Sequence, residues 1–454
     1  MIRKIAIIIL ISAFPAWAGQ PAPAAQPAPA TADATPVSAR VVTLSQALES
    51  ALSRQPRLTA AQASTYAAMA QANQVLAAKR PQVTTSLGYS RSTANGTTNI
   101  GNFTVTSNQT DTYDKYSFSL SGSYLLYDFG QTEKKYQAAL SGVDAQKENE
   151  KAVALGLTLS VRSAYYSARA SKTMVSVAKQ ALENQLKHLK QIQSYVEVGM
   201  RAPIDLYQAR TGVANARLDL ISAQNDYATA KASLNQAMGV DDSADYDVTD
   251  ETEPAVAGED AVIEVLLEEA LKARPEFAAI SAQVRAKKLS LEAISKEYLP
   301  YVGLSAGFTG SAGSDISESA WNGSAGVTAS WDLYSGGLTR AQEAEAYANL
   351  KNLAAHEDSL RQEVRLELEK ARLAVRAAKA SIAATAEAVA AARETLRLAE
   401  GRYTAGVGNV LELSDAQLTL TRAEASEVSA QYNLSQARSS LLKALGRMET
   451  ASVK

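Results

Sequence analysis

Apolar residues recur at alternating spacings of three and four along much of the chain. Leu206, Ala209, Val213, Ala216, Leu220, Ala223, Tyr227, Ala230, Leu234 and Ala237 keep this rule without a break. So do Ile382, Thr385, Val389, Ala392, Leu396, Ala399 and Tyr403. A third run, Leu413, Ala416, Leu420, Ala423, Glu427, Ala430, Leu434, Ala437, Leu441 and Ala444, carries one charge in its seam. A 3.5-residue repeat holds one helix seam against a neighbour, and alanine in alternate layers lets helices approach closely. The helix predicted from about 131 to 195 would be roughly 100 Å long at 1.5 Å per residue. A compact globular domain has no use for that length.

A second pattern has period two. Val83, Thr85, Leu87 and Tyr89 alternate with Thr84, Ser86, Gly88 and Ser90. Tyr116, Phe118, Leu120, Tyr124 and Leu126 lie opposite Ser117, Ser119, Ser121 and Ser123. Val302, Leu304, Ala306 and Phe308 form a third row, and Ala325, Val327, Ala329 and Trp331 a fourth. About ten residues of such alternation suit a membrane barrel strand, with lipid on one face and water on the other. Strands are predicted at 82–90, 116–127, 301–309 and 321–333, with polar loops at 91–115 and 310–320. Aromatics end them as an interfacial girdle would: Tyr127, Tyr301 and Trp331 at one level, Tyr89, Tyr116 and Trp321 at the other. The bland reading of any one strand is a half-buried soluble sheet. Four strands cannot close a barrel, and lipid leaves an open edge unpaired. The barrel must be shared: two chains would give eight strands, whose interior side chains fill, and three would give twelve, which leaves a channel.

Both patterns occur twice, which fixes the architecture. "QPRLTAAQA" (55–63) resembles "RPEFAAISA" (274–282), and Pro81 matches Pro300 at the same offset of 219. "LYDFG" (126–130) pairs with "LYSGG" (333–337) at an offset of 207, which holds to Gly239 and Gly446. Within it, "VGMRAPIDLYQAR" (198–210) overlies "AGVGNVLELSDAQ" (405–417), matching Gly199 with Gly406, Asp205 with Glu412, Leu206 with Leu413 and Ala209 with Ala416. The first copy spans 41–240 and the second 261–446, with hairpin tips near 199–203 and 406–409. An acidic linker at 241–260, without a helical pattern, joins them, and a tail at 447–454 follows.

Composition removes alternatives. A formal net charge of −2 over 454 residues points away from nucleic acid. The absence of cysteine excludes disulfides, thiolate metal sites and thiol nucleophiles. His188 and His356 lie in helical patterns as expected solvated positions, and two histidines are too few for a His-built metal site. No cofactor, metal or catalytic set is expected, because the many carboxylates fall on exposed helix faces. Arg3 and Lys4, an apolar run over 5–14 and Ala16-Trp17-Ala18 predict a secretory signal at 1–18. A Pro/Ala-rich linker is expected over 19–40. No later run is apolar and long enough for a membrane helix.

Two repeats, a proline before each strand pair, the "LYDFG"/"LYSGG" motifs and the glycine turns followed by "IDLYQAR" and "LELSDAQ" carry a resemblance. Over essentially its whole mature length the chain resembles the TolC family of outer membrane efflux proteins. The resemblance implies a mainly α fold with a membrane β-barrel: a homotrimer forming twelve strands among outer membrane lipid, above a coiled-coil tunnel in the periplasm. It implies a passive exit duct of a tripartite efflux or type I secretion system. Its partners would be a periplasmic adaptor of the membrane fusion type and an inner-membrane pump of RND or ABC type. It also implies a gate, whose matching positions here are Asp205, Tyr403, Glu412 and Asp415. A basic residue some members carry after the second turn is Gly408 here, with Arg201 or Arg402 as replacements. Val198, Gly199 and Met200, and around the second turn Gly406 and Val407, match the adaptor-docking tips. Helix capping is the competing role of the acids, since Asn409 and Glu412 have capping-box spacing. The competing function is a periplasmic coiled-coil scaffold or adaptor without a barrel.

Overall fold

The computed structural model describes residues 40–100, 103–241, 246–313 and 319–448. The expected signal at 1–18, nearly all of the linker 19–40 and the tail beyond 448 lie outside the described residues. From Val41 onward the chain forms one unit. The first half runs β1 (Arg40–Val42), α1 (Leu44–Arg54), α2 (Pro56–Ala77), β2 (Gln82–Ile100), β3 (Phe103–Tyr127), α3 (Gln131–Glu197) and α4 (Pro203–Met238). After β4 (Tyr246–Val248) come α5 (Ile263–Ala273), α6 (Pro275–Ser295), β5 (Tyr301–Ala312), β6 (Ser319–Ser330), α7 (Leu338–Thr404) and α8 (Val410–Ala444). Helices α3 and α7 each have 67 residues, about 100 Å of helix. No helix among the described residues is long and apolar enough to cross a membrane, which says nothing of strands.

The three predicted seams are buried or half-buried at every position, Glu427 included. Four turns follow one design. Gly199, Gly239, Gly406 and Gly446 all have φ between 70° and 78°, the left-handed conformation that ends a helix. Two of them also dock the end of a return helix on the kink between two short ones. A Cβ on Gly239 would lie 3.0 Å from the backbone of Arg54 and Gln55, and one on Gly446 3.0 Å from that of Ala273 and Arg274. Pro56 and Pro275 start the second short helix at each kink, where a missing N–H costs nothing.

The acidic linker is a strap with fixed partners. β4 pairs with β1, and Thr249 N donates to Val42 O at 3.2 Å. Asp247 meets Lys172 at 2.7 Å and Asp250 meets Arg169 at 2.6 Å, both on α3. Glu253 is buried against Arg162 of α3, itself buried. Glu259 receives Arg438 of α8 at 3.0 Å and Lys379 of α7 at 2.7 Å. The linker acids thus pair with bases of both repeats. Burial pushes the Glu259 carboxyl up, but hydrogen bonds from Arg438, Lys379 and the Val256 amide outweigh this and hold it below the usual range.

β2, β3, β5 and β6 form one antiparallel sheet in that order. β2 and β3 continue through most of the segment 91–115 expected as loop, of which 101–102 fall outside the described residues. Polar residues do not prevent pairing where alternation and β-branching persist. Thr93 and Thr112 share a hydrogen bond across the strands at 3.1 Å, and Arg91 faces Asp114 at 3.7 Å.

Glu253→Gln should therefore cost about 3–5 kcal/mol, because it strips a buried guanidinium of its carboxylate. Asp250→Asn, at an exposed pair, should cost about 1 kcal/mol or less. Thermal unfolding in detergent ranks the two. The contribution of Glu259 should be whole above its ordinary value near 4.5 and fade as pH falls through its lower folded value.

Candidate functional site

The two hairpin tips lie together. Gly199 N donates to Val196 O and Met200 N to Tyr195 O, which closes the first turn, at 3.0 and 2.8 Å. Gly406 N to Tyr403 O and Val407 N to Arg402 O, both at 3.1 Å, close the second. Val198, Met200 and Val407 stand about 70% exposed at the ends. Beneath them Ile192, Ala209, Leu396, Ala399, Tyr403, Val410, Leu413 and Ala416 make one core from all four long helices.

Arg201 links the turns. Its Nη2 donates to Gly408 O at 3.1 Å, and its guanidinium lies 4.7 Å from the centre of the Tyr403 ring. A Cβ on Gly408 would come within 2.9 Å of the Tyr403 amide nitrogen. A long basic side chain therefore does not fit at that position, and Arg201 supplies a charge from the other tip. Arg402 instead pairs with Glu412 at 3.0 Å. Asn409 caps α8 by accepting from Glu412 N at 2.7 Å, while the Glu412 carboxylate turns to Arg402 rather than completing a capping box.

Tyr403 is 1% exposed within its own chain, and its hydroxyl has no hydrogen-bond partner among the described residues. Burial pushes that hydroxyl up; Arg201 opposes the shift and Asp205 adds to it. Asp205 sits in the first turn of α4, whose Ala202 cap offers no side-chain acceptor. Asp415 is exposed one turn into α8. His188, expected as a solvated position, is instead buried with its ring 5.4 Å from that of Tyr403 in an edge contact. Its Nε2 has no partner among the described residues, and burial lowers its pKa. A cavity of about 270 Å³ beside it is lined by Asn184, Lys187, Gln191, Glu400 and Gln417 among others. The helical pattern alone does not show this burial, because α7 and α8 both close over α3 here.

At the other end, cross-strand register sorts the sheet faces. Leu87, Phe118, Gly310 and Trp321 lie abreast, as do Thr85, Leu120, Phe308 and Gly323. The opposite face carries Thr84, Ser121, Gly307 and Ser324, then Ser86, Ser119, Thr309 and Asn322. Leu87 is 84% and Trp321 76% exposed in the single chain. Tyr89 and Tyr116 meet at 5.2 Å, level with Ala312 and Ser319 and so two residues along the strands from Trp321. Trp331, after β6, donates Nε1 to Tyr298 O at 2.9 Å near Tyr127 and Tyr301. Alternation along β5 sets Tyr301 with Gly303 and Ser305, on the polar face, so it shares the level of the girdle but not its side.

Asp128 turns the sheet into helix. Its Oδ1 accepts from Gly130 N at 3.0 Å and its Oδ2 from Thr132 N at 2.7 Å.

Comparison with known proteins bears on both ends. The family model described as outer membrane efflux protein matches residues 47–240 and 266–447. The toluene efflux pump outer membrane protein TtgF of Pseudomonas putida is 26% identical over 340 residues, covering 73% of this chain and 69% of its own length. The outer membrane efflux protein BepC of Brucella suis is 25% identical over 383 residues, 82% and 78% of the two chains. Among solved structures, the outer membrane protein VceC of Vibrio cholerae has a TM-score of 0.70 at 21% identity, covering 89% of this chain and 96% of that one.

Protonating His188 would place a charge in a buried site against the Tyr403 ring, and that burial is what disfavours it. With its folded pKa below the ordinary 6.5, the neutral ring gives stability that is whole above that value and is lost as pH falls from it. Amide exchange over 184–196, corrected for intrinsic rate, should quicken from pH 7.5 to 5. His188→Phe, which keeps the ring contact, should abolish the change.

Proposed function

The chain belongs to the outer membrane efflux protein family, and from that premise we propose that three copies close one barrel and extend a helical tunnel below it. The protein is the outer membrane channel of an efflux system. The observation that carries the trimeric reading is the four-stranded sheet: one face apolar, the other Ser/Thr/Gly-rich, with outer edges on β2 and β6. Such a sheet is one third of a twelve-stranded barrel, which is wide enough for a channel. A soluble scaffold would leave Leu87, Trp321 and Val327 in water.

The duct is passive. Over residues 84–90, 117–123, 303–309 and 322–330 its wall of hydroxyls and glycines offers hydrogen bonds without fixed charge, with Lys115 the charge at the far end, which suits small organic cargo. Relatives named for toluene efflux and pyoverdine export agree with that choice. At the far end a periplasmic adaptor docks on Val198, Gly199, Met200, Gly406 and Val407, whose exposed apolar side chains are otherwise without cover. An inner-membrane pump of RND or ABC type completes the path.

Six tips in a trimer bring Asp205, Glu412 and Asp415 around one opening. Confined like charges attract cations and repel anions. Glu412 is neutralised by Arg402, so Asp205 and Asp415 carry most of the field. Arg201 holds the two tips of one chain together, and the buried Tyr403 hydroxyl, without a partner among the described residues, becomes a donor for an acid such as Asp205 only when the tips rearrange.

In mild detergent the protein should have the mass of three chains by light scattering; a folded monomer would overturn the proposal. In planar bilayers Arg201→Ala should raise single-channel conductance by unlatching the tips. Asp205→Ala with Asp415→Ala should weaken cation preference more than Glu412→Ala does. If all three only lower the melting temperature, these residues are structural and the gate lies elsewhere.

A further inference from the structure

The two strand hairpins share one register over the stretch 82–93 with 112–123 and its counterpart Tyr301–Ala312 with Ser319–Ser330. Gln82 faces Ser123 in the first, and Tyr301 faces Ser330 in the second. These pairs are related by the same offsets, 219 and 207, that relate the repeats in sequence. One junction between repeats lies inside the chain, where β3 meets β5. There Ser123 faces Ser305, Gly122 faces Ala306, Leu120 faces Phe308, and after a bulge Tyr127 faces Val302. The other junction would join β6 to the β2 of a second copy.

The repeats differ in one respect that bears on this. β3 continues to Tyr127, whereas β6 stops at Ser330, four residues before the matching Tyr334. Leu333 and Tyr334 are 78% and 87% exposed. The last residues of β3 have β5 beside them, while those after Ser330 have no strand beside them among the described residues.

We propose that β6 joins the β2 of a second copy in the register of β3 on β5. Ser330 then faces Ser86 of the neighbouring copy, Ala329 faces Leu87, Val327 faces Tyr89, and Tyr334 faces Val83 after a bulge at Leu333. Face assignment, which played no part in the derivation, agrees. Ala329 and Val327 share the apolar face with Leu87 and Tyr89, and Ser330 shares the polar face with Ser86. A slip of one residue would set every apolar side chain against a polar row. Docking also extends β6 to Tyr334 and covers Leu333.

This inference rests on the trimeric reading, and one experiment separates the two. The chain has no cysteine, so introduced pairs are clean probes. A disulfide needs Cβ atoms about 4 Å apart, whereas residues two places out of register lie about 7–8 Å apart. Ser330→Cys with Ser86→Cys, and separately Ala329→Cys with Leu87→Cys, should crosslink chains under mild oxidation in outer membranes. Dimer and trimer bands should appear on non-reducing gels. Thr328→Cys with Ser86→Cys, slipped by two, should give at least tenfold less. The intrachain counterpart Ser123→Cys with Ser305→Cys calibrates reactivity by mass. Crosslinking of the slipped pair alone, or of neither pair in a protein that light scattering shows to be trimeric, overturns the register. A folded monomer overturns the trimer itself.

Discussion

Unpaired backbone groups at a strand edge are the constraint on which the rest of this molecule depends. In hydrocarbon no water is available to satisfy them, so an open sheet there is forbidden. Among the described residues the long sheet of this chain has four strands and leaves β2 and β6 with one partner each. Closure has to come from other copies, so the helices that follow the strands must also be arranged around a common axis. The apolar outer face, the small polar inner face and the duplicated hairpins all follow from satisfying that edge.

The duplication lets one chain carry two near-equivalent junctions, yet the two are not built alike. Inside the chain, α3 is tied to α6 by Lys134 to Glu292 at 2.7 Å and to the turn after α6 by Lys135 to Glu297 at 3.6 Å. The matching positions for the junction between copies are Ala341 with Asn73 and Gln342 with Ala78. The acidic strap adds a second intrachain tie, with Glu253 and Glu259 clamped by bases from both repeats.

Much of this is legible in the residues because the long helices and the strands are governed by period alone. Heptad spacing gave the seams, and alternation gave the faces, since in each case one side chain position sees one environment. What period cannot show is contact between distant segments. The strap at 241–260 has no periodicity, so its acids look merely solvated until Arg162, Lys379 and Arg438 are seen beside them. His188 is hidden for the same reason: a polar residue in a helix is taken as outward unless a third and fourth helix close over it. The extension of β2 and β3 beyond Tyr89 and Tyr116 was obscured because polar composition suggested loop, while threonine alternation kept the ladder going.

The unequal junctions bear on how such a duct opens. A barrel fixed by backbone ladders cannot widen in the membrane without breaking hydrogen bonds, so motion falls to the helices. There the intrachain junction is held by ion pairs and by the strap, and the tips of one chain by Arg201 on Gly408 O and on the Tyr403 ring. The junction between copies has alanine, asparagine and glutamine where those charges stand. Separation should therefore start between chains rather than within one, with each chain's two hairpins swinging as a pair. In the proposed trimer Arg201 would then be a brace that keeps the pair together, and the carboxylates of Asp205 and Asp415 would be the charges that part when copies move apart.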